Sequence, residues 1–224
     1  LFSLVLSVLI AVPVGMLAAM KRRSWIGFVT SGAAQLGMAI PAFWAAIGLV
    51  LLFAVHLRWL PANGYVPLTT NPAGWAAHLV LPVVSLAIVQ ASVLVRYVRS
   101  AFIDVLSEDY YRIARAVGWR PFPALLRHGL RNAALSLVTI VGLQLASVLV
   151  GAIVIESVFA LPGLGSQLLD AVSQRDLSIV QGVVMFLAAA VLLINFLVDL
   201  SYAWIDPRLR AGEHAAVDEE RGRA

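Results

Sequence analysis

Five uninterrupted apolar stretches, at residues 1–20, 32–55, 79–98, 134–158 and 178–204, decide what this chain can become. An α-helix rises 1.5 Å per residue, so about 20 apolar residues cross the hydrocarbon core of a bilayer. Burying five such helices in a water-soluble protein would need a polar shell that 224 residues cannot supply. Only 12% of the residues are charged, about half the usual share, and mean hydropathy is +0.92. The chain is predicted to be all-α, a polytopic membrane helical bundle with five spans.

The first stretch does not read as a signal peptide. Such a peptide carries positive charge ahead of its apolar core, whereas Lys21, Arg22 and Arg23 follow this one. With no cysteine, neither disulfides nor thiolate metal sites are available, and the four histidines show no metal-ligand spacing. The basic charge sits in short loops between spans, which points away from nucleic acid. Of the 16 lysines and arginines, fourteen fall within 21–31, 96–133 and 206–224, against Arg58 and Arg175 in 56–78 and 159–177. Basic loops stay on the cytoplasmic side of a lipid bilayer. The C-terminus is therefore expected inside and residue 1 outside, and one further span upstream would bring the N-terminus inside. The expected organisation is a transmembrane domain over 1–210, containing a cytoplasmic loop at 99–133, and a polar cytoplasmic tail at 211–224.

That loop, with YYRIARAVGWRPFPALLRHGLRNAA at its centre, is too patterned for a disordered tether. Ser107 is a suitable N-cap, and Glu108 and Asp109 fall where a helix dipole favours carboxylates. Tyr110, Ile113, Ala114 and Val117 follow at helical spacing as an apolar stripe, with Arg112 and Arg115 off it. Gly118 is placed to end the helix, and Pro121 and Pro123 are expected to push Arg120 and Phe122 out of helical geometry. A short amphipathic helix of this kind lies in the headgroup layer or docks on a partner. The small residues Ala114, Ala116 and Gly118 favour docking, because they permit close approach but bury little area in lipid.

The stretch resembles the EAA loop of ABC-transporter permeases, in the form found in dipeptide and oligopeptide importers. The resemblance rests on Arg112-Ile113-Ala114-Arg115-Ala116-Val117-Gly118 and on Arg127-His128-Gly129-Leu130-Arg131-Asn132-Ala133. It continues through VIESVFALPGLG at 154–165, RDLSIVQGVV at 175–184 and LVDLSYAWIDPRLR at 197–210. WLPANGY at 59–65 points to the first of two permease subunits. Two positions depart from the pattern, Ile113 for the commoner Thr and Ser136 for the usual Pro. The resemblance implies a type I ABC importer permease fold. It also implies a heterodimer with a second permease, two cytoplasmic ATPase subunits that bind ATP and magnesium, and an extracytoplasmic solute-binding protein. The segment from Tyr110 to Gly118 would be the coupling helix, joined stiffly to the spans and seated on an ATPase.

This chain cannot itself hold ATP in a P-loop, because that motif needs a lysine followed by Ser or Thr, and its one lysine, Lys21, precedes Arg22. Gln35, Gln90, Gln144, Ser147 and Asn195 are the polar candidates for lining a pathway, since amides facing lipid are costly. Helix packing is their alternative role, as in the small-residue pair Ser147 and Gly151. Near span ends, Asp199 is expected to pair with an arginine. Glu156, Pro162, Gly163 and Gly165 are candidates for an external gate or a binding-protein contact, with a plain turn the equal alternative. Asp206-Pro207-Arg208 marks the exit of the last helix. A secondary transporter would show internal repeats and ionisable groups near the midplane. An intramembrane hydrolase would need a nucleophile beside a base. The spans offer amides instead, and no central histidine.

Overall fold

The computed structural model describes residues 1–205, apart from the side chains of His128, residues 130–136, Asp199 and residues 201–205. All regular structure among the described residues is helical. In order these are α1 (Phe2–Met20), α2 (Trp25–Ala39), α3 (Ala42–Leu49, prolonged by a π-helical Val50–His56), α4 (Pro72–Ser107) and α5 (Asp109–Ala116). Then come α6 (Pro121–Ala124), leading through a π-helical Leu125–Gly129 into α7 (Leu130–Val158), α8 (Leu164–Ser173) and α9 (Leu177–Ile205).

Four helices are individually long and apolar enough to cross a membrane: α1, α4, the Leu137–Val158 part of α7 and the Leu177–Val198 part of α9. The span expected at 32–55 is corrected. It is a bent pair, Trp25–Ala39 and Ala42–His56, meeting at 101°. Pro41 causes the bend. It has no N–H for the preceding helical turn, and it holds Ile40 extended at ψ 120°. Hydropathy reads straight through this point because proline and its neighbours are not polar.

α4 is the axis of the bundle. The Asn71 side chain caps it by accepting from the Gly74 N–H at 2.9 Å, and Pro72 opens it. Those two residues start the helix well before residue 79, where the apolar run begins. α1, α2, α3 and α7 all pack on α4, and the buried clusters succeed one another along it. Leu81 and Leu86 belong with Ala46, Ile155 and Phe159. Leu94 and Val95 belong with Ala11 and Ala34. Val98, Phe102 and Val105 belong with Met16, Ala19, Tyr111, Ala114, Ala124 and Leu125. Hydroxyls within the spans donate to carbonyls of their own helix, Ser7 to Leu4, Thr30 to Ile26, Ser85 to Pro82 and Ser92 to Ile88, so these donors are satisfied where water is absent.

The connections sort to two ends. At one end the last turns of α1 and α4 meet α5 and α6. At the other the 57–71 loop is tied to the end of α7, where the Gly64 N–H donates to the Phe159 carbonyl at 2.9 Å. The loop after α1 and the loop carrying α5 and α6 therefore share one end of the bundle. The 159–177 segment, expected as a loop, contains α8. Asp176 then caps α9, its carboxylate accepting from the Ser178 and Ile179 N–H groups at 3.1 and 3.2 Å. Phe122 is also corrected, since it lies inside α6; Pro121 takes the first helical position, where no N–H is required. α7 runs helically through Ser136, although that side chain lies outside the described residues. The same holds for the side chains of His128, Arg131, Asn132, Ala133 and Asp199, and all of Asp206-Pro207-Arg208 and the 211–224 tail lie outside them too.

The α1–α4 contact is tight enough to test. A Cβ added at Gly15 would fall 2.5 Å from Val98 Cγ1, whereas one at Gly32 meets nothing within 4 Å. Gly15→Leu should overpack that contact, cost about 1–3 kcal/mol and lower the unfolding midpoint in detergent. Gly32→Ala should leave the midpoint unchanged.

Candidate functional site

The loop at 99–133 begins with a sharp turn. Ser107 is not the cap of α5. It ends α4 with its hydroxyl donating to the Asp104 carbonyl at 2.7 Å, and Glu108 takes the capping position with extended ψ of 147°. α4 persists that far because Phe102 and Val105 continue its buried face. α5 closes in a Schellman turn, in which the Gly118 N–H donates to the Arg115 carbonyl and the Trp119 N–H to the Ala114 carbonyl, both at 3.1 Å. Gly118 stands at φ +100°, a conformation that side chains resist.

The expected apolar stripe divides in two. Ala114 is 8% exposed and joins the core cluster of α1, α4 and α6, together with Tyr111 at 9%. Ile113 and Val117 point the other way and are 62% and 75% exposed. Tyr110 is half-buried and packs at the edge of the cluster, while Ala116 is exposed. Sequence spacing missed Tyr111 as the anchor. It shares an i, i+3 relation with Ala114, but its neighbour Tyr110 fits the competing stripe equally well.

Two arginines are engaged within the loop. The Arg115 guanidinium donates to the Trp119 carbonyl, and the Arg127 guanidinium lies 5.5 Å from the centre of the Trp119 ring. Trp119 thus links the end of α5 to the turn that enters α7. Arg112 faces Asp109 at 3.6 Å on the open surface, where an ion pair contributes little.

At the opposite end, Glu156 turns back onto the first turn of α8. Its Oε2 accepts from the Gly165 N–H at 2.7 Å, at the positive pole of that helix. The Gly163 N–H donates to Ser166 Oγ at 3.0 Å, and the same hydroxyl donates to the Gly163 carbonyl at 2.9 Å. Pro162 is exposed beside them. A cavity of about 410 Å³ opens here, with Glu156, Ser166 and Asp170 on its wall.

The polar span residues are not gathered into one site. Gln90 and Gln144 are buried where α4 meets α7, and Gln144 Nε2 donates to the Gln90 carbonyl at 3.4 Å. Gln35 on α2, Ser147 on α7 and Asn195 on α9 are exposed.

Residues 11–211 match the family described as "Binding-protein-dependent transport system inner membrane component". The chain belongs to that family. Among relatives of this permease, a Brucella abortus (strain 2308) protein carrying the name peptide transport system permease protein is 40% identical over 210 residues. That alignment covers 94% of this chain and 67% of the relative. The dipeptide transport system permease protein DppB of Escherichia coli (strain K12) is 38% identical over 231 residues, covering 93% and 68%. Inward-facing structures of the MetNI methionine ABC transporter superpose on the chain with TM-scores of 0.76 and 0.73, at 18% and 19% identity. Each covers 91% of this chain and 89% of the other. The fold is thus that of a type I ABC importer permease.

Two substitutions test this geometry. Gly118→Val should strain the Schellman turn by roughly 1–2 kcal/mol and lower the unfolding midpoint of the purified permease. Gln144→Leu removes one interhelical hydrogen bond, a contact worth about 0.6 kcal/mol on average within membranes, so its midpoint should move little.

Proposed function

We propose that this chain is one half of the solute channel of an ATP-driven importer of peptides. It pairs with a second, different permease and receives solute from an extracytoplasmic binding protein. Two ATPase subunits, which bind the ATP and magnesium, drive it from the cytoplasm. The basic loops and the C-terminus lie on the cytoplasmic side, and α5 is the coupling helix. The peptide substrate rests on the names carried by the Brucella and Escherichia relatives.

The observation that carries the coupling role is the two-sidedness of α5. Tyr111 and Ala114 seat one face in the chain's own core, while Ile113 and Val117 hold apolar surface outward beyond the ends of the spans. Apolar side chains so placed gain free energy when a partner covers them. The Trp119 contacts with Arg115 and Arg127 make the link into α7 stiff. Closure of the ATPases would displace α5 and shift the bundle between inward- and outward-open populations. In this scheme Gln90 and Gln144 act in packing, and Ser147 and Asn195 face the pathway or the second permease. Glu156, with Gly163 and Gly165, holds the external turn in shape.

Ile113→Asp and Val117→Asp should each reduce ATP-dependent dipeptide uptake at least ten-fold and lose co-purification of the ATPases, with unchanged membrane insertion. Uptake at the wild-type rate in both variants would overturn the docking role. Ala114→Glu should instead lower stability, because it places a carboxylate in the core cluster.

A further inference from the structure

The bend between α2 and α3 leaves backbone groups with nothing to bond. The carbonyls of Gly37, Met38, Ala39 and Ile40, and the N–H groups of Ala42 and Phe43, find no partner among the described residues. Pro41 supplies no N–H, and its own carbonyl takes the Trp44 and Ala45 N–H groups at 3.0 and 3.2 Å. Ala39, Ile40, Pro41 and Phe43 are exposed on the surface of the chain.

The depth of this point decides what these groups require. Gly37 lies against Ser92 of α4 so closely that an added Cβ would fall 2.0 Å from its Oγ. On the far side of the bend, Ala46 of α3 belongs to the cluster of Leu81 and Leu86. The bend therefore sits beside α4 between the levels of Leu86 and Ser92, near the middle of the apolar run 79–98. At 1.5 Å per residue that is roughly 15 Å from either edge of the hydrocarbon. There each unpaired backbone group costs several kcal/mol against lipid, and irregular backbone persists only where it is buried in protein or lines a water-filled cavity. Gly37 is buried against α4 and Met38 and Ala42 are partly buried, but Ala39, Ile40 and Phe43 are left uncovered by the chain itself. Gln35, an exposed amide one turn before Ala39 on the same strip of α2, has the same need for a polar neighbour.

We infer that the exposed part of the α2–α3 bend, residues 39–43, lines the aqueous solute pathway and that its free carbonyls receive ammonium and amide N–H groups of the peptide in transit. The solute half of this inference rests on the peptide-importer reading. Recognition by main-chain carbonyls suits a solute whose side chains vary, because every peptide offers N–H donors whatever its sequence. Water fills the same positions when no solute is present.

The chain has no cysteine, so an introduced cysteine is the single thiol it carries, and labelling is read on this chain after separation from its partners. Ala39→Cys and Ile40→Cys, in the full permease assembled with its partners in membranes, should react with a membrane-impermeant cationic methanethiosulfonate at least ten times faster than Leu9→Cys on the exposed side of α1. Saturating dialanine should slow the reaction at Ala39→Cys at least three-fold. Equal rates at all three positions would overturn the aqueous assignment. Fast labelling that dialanine leaves unchanged, in membranes that take up dialanine, would overturn the contact with solute. The labelling comparison needs neither ATP nor a known solute, so its failure is separable from failure of the coupling role, which Ile113→Asp and Val117→Asp read out.

Discussion

The fold depends on packing along α4. One helix of 36 residues carries three successive clusters, and every other span except α9 is positioned by contact with it. Small residues make this possible. Gly15, Ala11, Ala19 and Ala34 let α1 and α2 approach closely, and in lipid such shape matching has to do the work that the hydrophobic effect does in water. The same helix projects past its last membrane-level cluster to form, with Ala124 and Leu125, the seat for α5. α5 is therefore held by the spans themselves.

Much of this was legible in the sequence, and the reasons differ by element. Apolar runs gave the spans because backbone satisfaction in lipid leaves helix as the available structure for a chain of this kind. Gly118 marked the end of α5 because a turn with positive φ selects glycine. The second span was misread because hydropathy averages over a window and gives one proline no weight, although Pro41 alone redirects the chain. The cap at Ser107 was misread because the local signal was sound but the buried face of α4 continued through it. α8 was overlooked because the Gly/Pro-rich turn before it masked a short helix.

The candidate site was legible at the level of the segment and less so at the level of its faces. An eight-residue helix with Tyr at both 110 and 111 supports two stripes, and only tertiary packing selects the one containing Tyr111 and Ala114. Polar residues in spans were a poorer guide. Gln90 and Gln144 look alike in sequence to Gln35 and Asn195, yet the first pair is buried between helices and the second is not. The backbone itself supplies more unsatisfied polarity, at residues 37–43, than any of these side chains. No scan of residue types would reveal that.

The overhang of α4 has a mechanical consequence. From Val98 to Ser107 the helix extends about 14 Å beyond the apolar run, and α5 hangs from its tip after a single intervening residue. A rod supported along its middle and loaded at its tip pivots. A sideways nudge at the tip reappears, reversed in sense, at the Asn71 end, where the 57–71 loop lies against Phe159. α4, continuous from Pro72 to Ser107 with Pro82 inside it, could in this way give the two faces of the membrane opposite displacements.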